Sequence, residues 1–392
     1  MYVSRPRSIY HHFPGALSLQ PQVDVPYSGH LVVTDEDSEA MDSFCCGIWR
    51  NHRISRLPFP SDRILQVVHS SLQEEAGVIK AWFIPVLDQP LSSNRYYVIK
   101  AKGRRKGQAY TCSREGEVGV CCFRRPRVES KTRPFDHRDR YQQLEIRPFH
   151  GGGFFARSVE WDGYPPSFLR RGGWEVYTVA SCRLRLHEAP GLLETIPLGF
   201  PDRDLPLHSR RSTPVVMGRW YCPCVMVKDG DVGAHDQMRK CMVYELSLKQ
   251  WWEQIHSVEN EGGGKNEVVV DARVRRLVCL ALGMEAEKDD GGRGGADGFV
   301  WFRVKGDCKR RVGVGLSGSL YEKMRWVQEA RGWFDGEREV RVKGSKEVGS
   351  ESGWTRFGCY VLVESFVLRR MDGSLLINFN FRNTDKIVCK WE

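Results

Sequence analysis

The sequence predicts an α+β fold that is rich in β-structure, with mostly antiparallel short strands, a few short helices and two closely associated subdomains. Three observations carry this expectation. The apolar runs are short, aromatic and β-branched, and they are bounded by Gly, Pro, Asn or Asp. They do not alternate regularly with helical patterns, which argues against a doubly wound sheet. Near the end of the chain, Asp372-Gly373 separates two such runs, a strong hairpin signal that predicts antiparallel pairing.

In chain order, the expected strands are 30–34, 65–69, 78–86, 95–100, 174–179, 215–227, 267–273, 299–305, 339–343, 357–368 and 374–381. Three helices are expected between them. Pro165 to Arg171 should form a short one ended by Gly172. Ser247-Leu-Lys-Gln250 has the spacing of a capping box, in which a serine oxygen takes a free amide and the glutamine reaches back; it predicts a helix carrying Trp251, Trp252 and Ile255. Ser319-Leu-Tyr-Glu322 repeats the device and predicts a helix through Met324 and Val327 that stops at Gly332. The stretches 259–266, 285–298 and 343–353 are charged and glycine-rich, and are expected to be mobile. A boundary is expected near His150-Gly-Gly-Gly153. It divides a β-rich N-terminal subdomain, 1–150, from an α+β C-terminal subdomain, 151–392.

Composition narrows the class. With 41% hydrophobic and 28% charged residues over 392 positions, the chain can bury a proper core. Its start, MYVSRPRSIYHHFPGALSLQ, lacks the apolar centre of a secretory signal. The longest apolar run, Leu277–Met284, falls far short of the roughly 20 residues that span a bilayer. Thirteen cysteines, with adjacent pairs at Cys45-Cys46 and Cys121-Cys122, do not read as a disulfide framework. Reduced thiols in the cytoplasm, or alternatively the nucleus, are expected.

The formal net charge of +10 is concentrated. Between Lys100 and Arg147 there are fourteen Lys or Arg against six Asp or Glu. The densest cluster is Lys100, Lys102, Arg104, Arg105 and Lys106, followed by Arg124, Arg125 and Arg127. Such clusters contact phosphates or acidic partners, and Tyr96, Tyr97 and Tyr110 nearby could serve as stacking faces. Gly103 and Gly107 bracket the cations as in a solvated hairpin tip, which is the favoured structural reading; these eight cations are the candidate binding surface.

Other motifs carry less. Gly313-Val-Gly315-Leu-Ser-Gly318 matches a dinucleotide-binding spacing, but that chemistry needs a buried strand just before the first glycine, and Lys309-Arg310-Arg311 stands there. A glycine-rich turn feeding a capped helix is expected instead. Cys222-Pro-Cys224 would put two thiols on one face of a strand, but no second pair in zinc spacing accompanies it. The acidic run VTDEDSEAMD lacks the glycine and terminal glutamate of a calcium loop, and a solvated turn is expected. Hydrolase, zinc-protease, Walker and kinase signatures are absent. No catalytic residue, metal or cofactor is therefore expected.

Several long segments resemble a plant family known only as domain of unknown function 1262: the start MYVSRP, FIPVLDQPLSSNRYYVI, PPSFLRRGGW, GRWYCPCVMVKDG with QMRKCMVYELSLKQWWEQI, and the ending FGCYVLVESFVLRRMDGSLLINFNFRNTDKIVCKWE. The resemblance covers nearly the whole chain. It implies a soluble plant protein in a stress or defence context, with no recorded activity and no catalytic or cofactor residues to carry over. The expected function is a non-catalytic module that binds an unidentified protein. Nucleic-acid or anion binding through 100–147 is the first alternative, and an enzyme of unrecognised type is the second.

Overall fold

The structure is a computed structural model that describes residues 1–19, 26–41, 43–44, 49–50, 52–71, 74–114, 131–193, 205–260, 267–289, 298–307, 312–330, 332–333, 338–347 and 353–392. Its longer strands are β1 Tyr2–Pro6, β2 Gly29–Val33, β3 Arg63–Ser71, β4 Glu74–Pro85, β5 Arg95–Lys100, β6 Gln143–Pro148, β7 Phe154–Ser158, β8 Glu175–Arg183, β9 Val215–Pro223 and β10 Val227–Asp229. There follow β11 Val243–Glu259, β12 Glu267–Arg275, β13 Leu277–Ala281, β14 Met284–Lys288, β15 Phe299–Val304, β16 Gly313–Ser317, β17 Glu339–Glu347, β18 Arg356–Arg370 and β19 Leu375–Trp391. The α-helices are α1 Arg7–His12, α2 Glu36–Met41, α3 Ser167–Arg170, α4 Ala234–Lys240 and α5 Gly318–Ala330.

Two sheets hold most of the strands. The larger runs β10-β16-β15-β14-β13-β19-β18-β11-β9-β1-β2, with Gly191–Leu192 also on β9. The smaller is built around β5-β4-β3-β8, with β6 on β5, β7 on β6, and the short strands Ala109–Tyr110, Thr132–Arg133 and Arg53–Ile54 at its margins. Among the described pairs, only β1 with β2 is parallel. A separate ribbon pairs β12 with β17. Sheet membership cuts across position 150: β8 belongs to the smaller sheet, whereas β1 and β2 belong to the larger one.

Strand alternation explains why the smaller sheet is buried on both faces. Side chains on successive strand positions project oppositely. Ala81, Phe83, Tyr96 and Val98 therefore enter one core, while Trp82, Ile84, Tyr97 and Ile99 enter another. In the first, the Phe59 ring lies 4.9 Å from those of both Phe83 and Phe154. The second core is shared with the larger sheet through Met1, Tyr2, Leu31 and Tyr221. The expected strands 78–86 and 95–100 pair, because the chain turns at Gln89-Pro90 and returns from β4 to an antiparallel β5, with Phe83 opposite Val98.

The helix expected from Ser247 is a correction: Val243–Glu259 is a 17-residue strand between β9 and β18. A cap contributes only about 1 kcal/mol, which the two flanking backbone ladders and the tryptophan burial outweigh. Extended backbone sends Trp251 to Val361 and Val363, and Trp252 to Leu205, Tyr360 and Leu362. The Gln250 side chain donates to the buried Glu364 across the strand pair, so the glutamine that suggested a cap serves the sheet. The strand expected over 215–227 is broken at Pro223, where a 3-10 turn over Cys224–Met226 intervenes. The expected helix over 319–332 begins two residues earlier than Ser319 would cap. The Ser317 Oγ takes the Leu320 amide at 3.3 Å, while Met324 and Val327 are buried as expected. In the acidic run, α2 replaces the expected turn: Asp35 Oδ1 accepts from the Ser38 amide and Ser38 Oγ accepts from the Asp35 amide.

β2 also carries a half-buried titratable group. Burial, and then the Arg5 cation, lower the His30 imidazole from 6.5 to about 4. Between those values the unfolded chain binds the extra proton, so this contribution is complete above pH 6.5 and is lost as pH falls toward 4. The full shift corresponds to at most about 3 kcal/mol. Urea unfolding at neutral pH and near pH 4.5 should show wild type losing about 2 kcal/mol more than His30→Gln over that interval. Equal losses in the two proteins would contradict the assignment.

Candidate anion-binding surface

The basic hairpin begins where β5 ends. The Lys100 amide donates to the Gln108 carbonyl at 2.8 Å, and the Gly107 amide returns a bond of 2.8 Å to the Lys100 carbonyl. Lys106 and Gln108 amides donate to Gly103 and Arg105 carbonyls at 3.1 and 3.2 Å. Gly103 and Gly107 have φ of +88° and +87°, so the bracketing glycines sit in left-handed backbone, as a hairpin tip requires. Lys102, Arg104 and Arg105 are exposed, Lys100 and Lys106 half-buried. None of Lys102, Arg104, Arg105 and Lys106 forms an ion pair with a described residue.

Other cations of the segment are absorbed locally. Arg140 pairs with Glu160 at 2.5 Å, Arg147 pairs with Glu145 at 2.6 Å, and the Arg114 guanidinium lies 4.7 Å from the centre of the Tyr141 ring. Arg124, Arg125 and Arg127 lie outside the described residues. The stacking role suggested for Tyr96, Tyr97 and Tyr110 is corrected, because all three are at most 2% exposed and fill the two cores.

The hairpin is docked, not free-standing. A Cβ at Gly107 would meet the Ala234 carbonyl oxygen at 2.8 Å, so the tip lies against the first residue of α4. α4 is seven residues long, about 10 Å, and ends at Lys240 on the rim of a second feature. There a cleft of about 440 Å³ is lined by Arg185, Lys240, Glu245, Arg369 and Arg370 over a floor that includes Cys241 and Val243. Arg370 is neutralised, with Nε and Nη2 each 2.6 Å from an Asp229 carboxylate oxygen. Among the described residues, the Arg369 guanidinium donates to the Gly373 carbonyl, at 2.8 Å, and forms no ion pair. Arg185 and Lys240 are exposed and form no ion pair with a described residue. Glu245 is the acid of this lining, and Asp236 lies in the first turn of α4.

The two ends of α4 thus gather seven cations that form no ion pair with a described residue: Lys102, Arg104, Arg105 and Lys106 at one, Arg185, Lys240 and Arg369 at the other. The sequence announced the first group by density. It gave little sign of the second, whose members come from three distant segments; the doublets Arg239-Lys240 and Arg369-Arg370 were the available signal.

The remaining motifs resolve structurally. Gly313 and Gly315 lie inside β16, hydrogen-bonded on both sides, and only Gly318 opens α5. The pattern is therefore neither a phosphate loop nor the expected turn. Cys222 ends up in the shared core and Cys224 in the 3-10 turn; burial pushes both thiols up to about 12. Among the described residues, no group of three or more His, Cys, Asp or Glu is placed to hold a metal. No helix among them is long and apolar enough to cross a membrane.

Docking of the tip separates the two glycines experimentally. Gly107→Ala should lower the unfolding free energy by about 2 kcal/mol, from left-handed strain plus the clash with Ala234. Gly103→Ala, whose added carbon meets nothing nearer than the Lys100 side chain at 3.8 Å, should lose only about 1 kcal/mol. Urea denaturation of both variants measures the difference, and equal losses would show that the tip does not rest on α4.

Comparison with known proteins adds three findings. No curated protein matches the chain. The solved structure described as the crystal structure of Cry35Ab1 is similar over 85% of this chain and 90% of that chain, at 11% identity and a TM-score of 0.48. Residues 24–123 match the family model Protein of unknown function (DUF1262); this includes FIPVLDQPLSSNRYYVI and the hairpin tip, and is narrower than the nearly whole-chain resemblance read from the sequence.

Proposed function

We propose that the protein is a non-catalytic interaction module that receives an acidic segment of a partner protein on the basic surface at the two ends of α4. The observation that carries this reading is the set of seven cations without ion-pair partners among the described residues, held by backbone hydrogen bonds and by α4. Cations gathered in this way attract an acidic ligand. A cytosolic or nuclear setting suits it, since the described cysteines are free thiols and mostly buried.

Nucleic acid is the competing ligand, because phosphates meet the same cations. Burial of Tyr96, Tyr97 and Tyr110 removes the stacking platform that single strands favour. Fluorescence anisotropy separates the readings, using an acidic Glu/Asp-rich peptide and single-stranded and duplex oligonucleotides of matched charge. The peptide should bind, lose at least about tenfold in affinity between about 50 and about 300 mM salt, and lose at least about tenfold when Lys102→Gln, Arg104→Gln, Arg105→Gln and Lys106→Gln are combined. Tighter binding of an oligonucleotide, abolished by the same four changes, would reassign the surface to nucleic acid. Absence of binding to any of the three would overturn both readings.

A further inference from the structure

β18 and β19 bring two thiols face to face. In their antiparallel register Cys359 stands directly opposite Cys389, between the pairs Phe357 with Trp391 and Val361 with Ile387. Directly opposed residues share one face of the sheet with Cβ atoms roughly 4.5–5.5 Å apart, close to the roughly 3.5–4.5 Å of a disulfide. Cys359 is 1% exposed, beneath Val268 and Val270 of the β12–β17 ribbon, whereas Cys389 is half-buried and reachable from solvent.

We propose that Cys359 and Cys389 are a hydroperoxide-responsive dithiol, a modification site that closes to a cross-strand disulfide. Proximity to the Cys359 thiol lowers the Cys389 thiol against its burial, with help from the Lys346 cation of β17. The same proximity, together with burial, pushes Cys359 upward. Cys389, half-buried and reachable from solvent, is the sulfur that reacts first, and Cys359, 1% exposed, is the thiol that resolves. The Cys389 sulfur attacks one oxygen of hydrogen peroxide; an S–O bond forms, the O–O bond breaks, and hydroxide leaves as water after taking a proton. The Cys359 sulfur then attacks the Cys389 sulfur. An S–S bond forms, the S–O bond breaks, and a second water carries away the Cys359 proton. Two thiols lose two electrons and two protons, and one peroxide becomes two waters.

The other described thiols do not compete. Cys112, Cys222, Cys224, Cys241 and Cys279 are all buried, and burial pushes each thiol upward. Oxidation would lock the last two strands of the chain together beneath the ribbon, without moving the basic surface.

The test treats the full chain with hydrogen peroxide and maps its peptides by mass spectrometry without reduction. The expected result is a Cys359–Cys389 linked peptide lighter by two hydrogens than its separate parts, restored by dithiothreitol. In Cys359→Ser, dimedone should trap a sulfenic acid at Cys389. Full alkylation of both cysteines after peroxide treatment, or bridging of Cys389 to a different cysteine, would overturn the proposal. Absence of the dimedone adduct in a folded Cys359→Ser would overturn the assigned order of attack. The wild-type mapping stands even where the variant does not fold.

Discussion

The Tyr2 hydroxyl donates to the Pro85 carbonyl at 2.9 Å, and much of the remaining structure depends on where that places β1. Tyr2 is fully buried, so its hydroxyl must find an acceptor inside the protein. The acceptor is the last residue of β4, in the smaller sheet, while the backbone of Tyr2 stands opposite Tyr221 and Gly29 in the larger one. The ring lies so close to Gly29 that a Cβ there would fall 2.5 Å from its Cε1 atom. One residue thereby ties both sheets, and the shared core of Trp82, Ile84, Tyr97 and Ile99 against Leu31 and Tyr221 closes around it.

The candidate surface inherits this constraint. Its hairpin extends from β5 of the smaller sheet, but it rests on α4, which connects β10 and β11 of the larger one. Arg185 follows β8, whereas Lys240, Arg369 and Arg370 belong to the larger sheet's side. The seven cations are therefore neighbours only while the sheets share a core. The dithiol, by contrast, sits within one strand pair and one ribbon, so it can be oxidised without disturbing that junction.

Legibility in the sequence followed the range of the interactions. The β4–β5 return and the β18–β19 hairpin were readable because proline, an Asp-Gly pair and alternating aromatics are local signals. The hairpin cations were readable because they are contiguous. β11 was misread because a cap is also a local signal, whereas the two ladders that make it a strand come from residues at least 20 positions away. The parallel β1–β2 pair had no marker at all, since its reason is a tyrosine whose partner lies 83 residues on. The cleft cations were hidden for the same reason: only the fold assembles residues 185, 240 and 369. Burial of Tyr96 on one face and Tyr97 on the other follows from their adjacency, and with β5 covered on both sides neither ring can stack on a base.

Differential scanning calorimetry of the wild type and of Tyr2→Ala tests the shared core most directly. A single transition with matching calorimetric and van't Hoff enthalpies is expected, displaced as a whole to lower temperature by the substitution. Two resolved transitions, of which Tyr2→Ala moves only one, would show that the sheets fold independently and would contradict the account.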